Sequence, residues 1–132
     1  MIALDTNVLV RHLMDDDPVQ SPIAHAAMAR LTPFQPGYVS LVVLVETLWV
    51  LRRSFRVSHE RATATTRALL AARDLVLQEP GAVAQALAVA EQTDSEVPDA
   101  LIAALALEAG CERTWTFDFR AARRFGMELL TA

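Results

Sequence analysis

Four acidic residues carry the chemistry this sequence offers: Asp5, Glu46, Asp99 and Asp118. Asp5 ends the apolar run Ile2-Ala3-Leu4, and Asp118 ends Thr114-Trp115-Thr116-Phe117. Asp is also a common turn former, so neither is specific alone. Glu46 lies in Leu41-Val42-Val43-Leu44-Val45-Glu46-Thr47-Leu48-Trp49, where apolar residues cover every side of a helix except the slice holding Glu46 and Thr47. A carboxylate there is costly unless it is paired, bound to metal, or set on a narrow polar edge open to water. Asp99 follows Pro98 at a helix start, where the dipole and free N–H groups favour an acid in any case. The signal is the joint placement. Gathered within a few ångströms, these carboxylates would repel by on the order of several kcal/mol per pair at an effective dielectric near 20, and a divalent cation would relieve that repulsion. Oxygen donors alone select a hard ion, Mg²⁺ or Mn²⁺. Such ions bind phosphates and activate water, so the chemistry indicated is phosphodiester hydrolysis.

The elements that must position these acids follow from hydrophobic periodicity and caps. Residues 2–4 read as a buried strand, Thr6-Asn7 as a polar junction, and 8–14 as a helix broken by Asp15-Asp16-Asp17-Pro18. Ser21-Pro22 restarts a helix through Leu31, and Tyr38-Val39 is a second strand. Ser40 caps a helix over 41–53, Ser58 caps one over 60–72, and Leu75-Val76-Leu77 is a third strand. After the Pro80-Gly81 turn come helices over 83–91 and 100–109, the latter ended by Gly110. Thr114 to Phe117 is a fourth strand, 120–125 a short arginine-rich helix, and Leu129-Leu130 a last apolar pair. Strands alternating with helices imply an α/β/α sandwich with a central, mostly parallel sheet of four to five strands. Ligands in such sheets bind beyond the carboxyl ends of strands, where Asp5 and Asp118 lie and where following helices can deliver Glu46 and Asp99.

With 132 residues, no repeat and no linker, the chain reads as a single domain, 1–132. Hydrophobic residues make up 53% and charged ones 21%, which excludes a disordered or low-complexity class. The single Cys111 cannot form an internal disulfide and fits a reducing, cytoplasmic setting; it is expected to pack as a small apolar side chain. An acid at position 5 is unlike a secretory signal, and the longest apolar run, residues 41–45, is far short of the roughly 20 residues that span a bilayer. The net charge of −4 argues against indiscriminate nucleic-acid binding and leaves room for a local basic groove, all 12 basic residues being arginine. No G-x-S-x-G, P-loop, dinucleotide-binding glycine pattern or H-E-x-x-H occurs.

The ordered set Leu4-Asp5-Thr6-Asn7-Val8-Leu9, then Glu46 in an apolar helix, then Pro98-Asp99-Ala100-Leu101-Ile102-Ala103-Ala104, then Thr116-Phe117-Asp118, resembles a PIN domain, specifically the VapC-type toxins. The resemblance covers nearly the whole chain in order. It implies a metal-dependent endoribonuclease, the toxin of a toxin–antitoxin pair, held inactive by a small cognate antitoxin. By motif position Asp5, Glu46, Asp99 and Asp118 match the acidic metal-binding and catalytic quartet. Asn7 matches the residue that orients the first acid, and Thr116 the hydroxyl residue two before the last. Many members carry a further acid two residues after the last one; this chain has Arg120 there.

Arg52, Arg53 and Arg56 follow the Glu46 helix, and Arg120, Arg123 and Arg124 follow Asp118. Both clusters could hold RNA phosphates, or lie as solvated faces with their stems on apolar neighbours. His12, His25 and His59 share no metal-ligand spacing and are expected to be exposed or structurally bonded. The apolar, alanine-rich helices point to a homodimer or an antitoxin-binding groove. The rival from another class is a non-catalytic PIN-like interaction module whose acids receive a basic partner segment. A flap-type DNA nuclease fits less well, since no strand-threading insertion is present.

Overall fold

Parallel strands need a crossover connection, usually a helix, which the alternation of short strands with helices supplies here. Every strand pair is parallel in the computed structural model, which describes residues 1–131. The chain divides into two compact units, Met1–Pro80 and Gly81–Ala132, at the Pro80-Gly81 turn.

The first unit runs β1 (Ile2–Ala3), α1 (Thr6–Met14), α2 (Gln20–Met28), β2 (Gly37–Val39), α3 (Leu41–Arg53), α4 (His59–Ala71) and β3 (Leu75–Leu77). Its sheet has the order β1-β2-β3, with Ala3 level with Tyr38 and Val39 level with Leu77. Gly37 opens the central strand in tight packing: a Cβ there would lie 2.8 Å from Leu31 Cδ1 and 3.0 Å from Leu75 Cδ2, so those side chains would have to shift. Leu9, Val39, Leu44 and Leu51 are fully buried and form the centre of this unit's core. Ser40 accepts a hydrogen bond from Val43 N at 3.2 Å and Ser58 one from Arg61 N at 3.2 Å, which starts α3 and α4 where the caps predict.

The second unit runs from α5 (Pro80–Thr93) through α6 (Val97–Glu108), β4 (Trp115–Thr116), α7 (Phe119–Phe125) and β5 (Glu128–Leu129). Val83, Ala86, Ala90, Ala100 and Leu101 are buried. β4 and β5 pair as a separate sheet, Trp115 level with Glu128.

The α/β class with parallel strands is as expected, and three details differ. A single sheet of four to five strands is replaced by sheets of three and two, because the terminal apolar pair contributes a strand that takes β4 as its partner across α7. The first strand is not buried: Ile2 and Ala3 are exposed on the edge strand and only Leu4 is in the core. α2 begins at Gln20, ahead of Ser21-Pro22, because Asp17 Oδ1 accepts from both Val19 N (2.9 Å) and Gln20 N (2.7 Å). Among the described residues no helix is long and apolar enough to cross a membrane.

Candidate active site

In the first unit, β1 ends at Ala3 and β2 at Val39, and both strands run the same way, so Asp5 and Ser40 lie just past the same edge of the sheet. Asp5 is held there as the N-cap of α1: its Oδ1 accepts from Thr6 N at 2.7 Å, and its carbonyl receives Val8 N and Leu9 N. Asn7, one residue into α1, lines a groove with Arg11, Gln20 and Ile23. Glu46 sits in the second turn of α3, about 9 Å along the axis from Ser40 at 1.5 Å per residue. It is exposed, whereas Thr47 beside it is fully buried with an unpartnered hydroxyl. The two therefore do not share one polar edge. Glu46 itself faces water.

In the second unit, Asp118 directly precedes α7 and caps it, Oδ1 accepting from Arg120 N at 2.8 Å and Ala121 N at 3.4 Å. Thr116 Oγ1 accepts from Asp118 N at 3.0 Å, fixing the backbone from which that carboxylate projects. Asp99 lies in the first turn of α6. Its pKa is raised by loss of water around the carboxyl first, then by the charges of Glu96 and Asp118, with Arg124 opposing. Asp99 and Asp118 thus share one negatively charged locality, although Asp99 as a whole residue is exposed. Glu96 was not anticipated; its signal was its place three residues before Asp99, which puts both on one side of a helix start.

The chain matches the family described as PIN domain over residues 2–126. It is a PIN domain. The match runs through both units, and PIN domains are in general nucleases that commonly bind divalent metals. No curated protein matches the chain.

Within this PIN domain, Asp5 and Glu46 belong to the first unit and Asp99 and Asp118 to the second. Among the described residues, no three His, Cys, Asp or Glu side chains are grouped as ligands for a metal ion. The donor chemistry of the Asp99–Asp118 locality nonetheless fits a hard cation: the oxygens are carboxylate, and like charge already disfavours ionisation of one of them.

The arginines divide by role. Arg52 donates to Val57 O at 2.8 Å and closes the chain turn after α3. Arg53 lies 3.8 Å over the Trp49 ring, and Arg124 reaches Asp99 by charge. Cys111 is exposed rather than packed as an apolar side chain. His12 and His25, from α1 and α2, meet Nδ1 to Nδ1 at 2.8 Å, and His25 Nε2 meets Asp15 Oδ1 at 3.0 Å. This agrees with structurally bonded histidines, and the pairing itself was not visible in their spacing of 13 residues.

Proposed function

We propose that this PIN domain is a metal-dependent endoribonuclease of the VapC type, the toxin of a toxin–antitoxin pair, with Asp5, Glu46, Asp99 and Asp118 as its metal-binding and catalytic acids and Mg²⁺ or Mn²⁺ as the ion. The observation that carries the reading is the shared negative locality of Asp99 and Asp118 in a member of a nuclease family. A bound divalent ion supplies charge neutralisation and a more acidic water.

The chain's own residues supply the rest. Thr116 and the first turn of α7 fix Asp118, the Thr6 amide fixes Asp5, and Glu46, exposed to solvent, serves to take a proton from the attacking water. RNA as substrate and a small antitoxin as partner are supported by the resemblance of the ordered motif set that runs from Leu4-Asp5 to Phe117-Asp118, and a homodimer by the apolar, alanine-rich helices.

The test is cleavage of matched single-stranded RNA and DNA oligonucleotides with Mg²⁺ and with EDTA, beside melting curves in the same buffers. The reading predicts RNA cleavage only with Mg²⁺, and a melting temperature that rises with Mg²⁺ concentration by mass action. Absence of both effects supports the alternative, a non-catalytic PIN-like interaction module whose acids receive a basic partner segment.

A further inference from the structure

The outward side of α3 carries Val42, Glu46, Trp49 and Arg53, at helical intervals of four, three and four residues, and all four are exposed. Residues three or four apart on a helix are neighbours, with about 5–6 Å between their Cβ atoms. Trp49 therefore stands one turn from Glu46 on the same face. It is 49% exposed, a large area for an indole, and Arg53 lies over its ring at 3.8 Å to the centroid. That contact gains cation–π energy and holds the indole in one orientation. Such a plane need not be exposed to stabilise the fold, since Leu44, Leu48 and Leu51 already form the inward side of α3.

We infer that Trp49, oriented by Arg53, is a stacking platform for a base of single-stranded RNA beside the phosphate that Glu46 addresses. This rests on the endoribonuclease reading above and adds a binding subsite to it. Single-stranded nucleic acid is recognised by aromatic planes flanked by cations, every base having a π-face to offer. Here the cations are Arg53 itself and exposed Arg56, three residues on, in a chain whose net charge is otherwise negative. An acidic peptide would meet the same arginines but need offer no planar group to the indole, whereas every nucleotide of RNA brings a base to stack and a phosphate to take the cation. Trp49 is a binding and positioning residue: its loss weakens RNA binding and leaves the chemical step in place.

The test uses the full chain with Trp115→Phe, which leaves Trp49 as the only indole, and a short single-stranded oligoribonucleotide. In EDTA, RNA is expected to quench Trp49 fluorescence as it binds. Trp49→Ala is expected to raise the Kd for RNA, and KM with Mg²⁺, by roughly 5- to 150-fold with kcat within about twofold, while Trp49→Phe recovers most of the loss. Unchanged Kd and KM in a folded Trp49→Ala protein that still cleaves RNA overturns the platform and leaves the nuclease standing. Quenching by bound RNA without any metal-dependent cleavage supports the platform and overturns the nuclease. A Trp49→Ala variant that shifts the mass by light scattering and leaves RNA affinity unchanged assigns this face to a second copy of the chain and overturns the proposal.

Discussion

Asp99 lies in the field of Asp118: loss of water first, then the charges of Glu96 and Asp118, raise its pKa. A folded pKa above the unfolded value means that the native state binds the extra proton, so the stabilisation is present at low pH and lost as pH rises through the folded pKa. Asp99→Asn imitates the protonated form at every pH. In metal-free buffer at pH 7 it is expected to raise the melting temperature slightly, solvent screening at this exposed residue keeping the gain small, with the gap closing as pH falls towards the ordinary carboxylate pKa. Thermal melts across pH 4–8 check this, and an Asn variant that melts lower than wild type at pH 7 would contradict it.

His12 titrates in the opposite sense. Its pKa is lowered, first by burial and then by the charge of His25, with Asp74 opposing. The unfolded chain then binds the proton more tightly, so stability is lost as pH falls through the ordinary imidazole value of 6.5 towards the folded one. With Nδ1 facing Nδ1 at 2.8 Å, one ring must donate and the other accept, and protonating both breaks the contact between α1 and α2. His12→Gln is expected to flatten the fall in melting temperature between pH 7 and 5, whatever its effect at pH 8.

Thr116 acts through Asp118. Thr116→Val keeps the shape and removes the acceptor for Asp118 N, at an expected cost of about 0.5–1.5 kcal/mol in stability. Loss of the fixed backbone is expected to lower RNA cleavage more than fivefold, with Thr116→Ser near wild type. Equal activity of the Val and Ser variants would show that the hydroxyl does not position the acid.

Gly37→Ala tests the packing of the central strand. A methyl group 2.8 Å from Leu31 Cδ1 forces side chains apart, an overpacking expected to cost about 1–3 kcal/mol by denaturant titration.

Helix starts were legible where a serine caps its own helix: Ser40 and Ser58 stand one residue before α3 and α4. Asp5 and Asp118, read as strand ends, also cap α1 and α7, which therefore begin at Thr6 and Phe119 rather than at 8 and 120. α2 was misplaced because its cap comes from Asp17, which as one of three successive acids looked like a solvated break; instead Asp15 meets His25, Asp16 meets Arg11 and Asp17 caps. The candidate acids were legible by type and by their positions at strand and helix ends. What was not legible was rotation. An apolar run such as 41–49 has no strong polar side, so nothing local says that Thr47 turns inward and Glu46 outward with Trp49. The His12–His25 contact and the exposure of β1 likewise depend on how separate elements pack, which periodicity along one element does not encode.

The account stands most directly on one measurement: cleavage of single-stranded RNA in Mg²⁺ by Asp5→Asn, Glu46→Gln, Asp99→Asn and Asp118→Asn beside wild type, each shown folded by circular dichroism. The acids as a catalytic set predict wild-type cleavage abolished by EDTA and a loss of at least about a hundredfold in each variant, the scale of a removed general base. Wild-type rates in a folded Asp5→Asn or Asp99→Asn protein would contradict it.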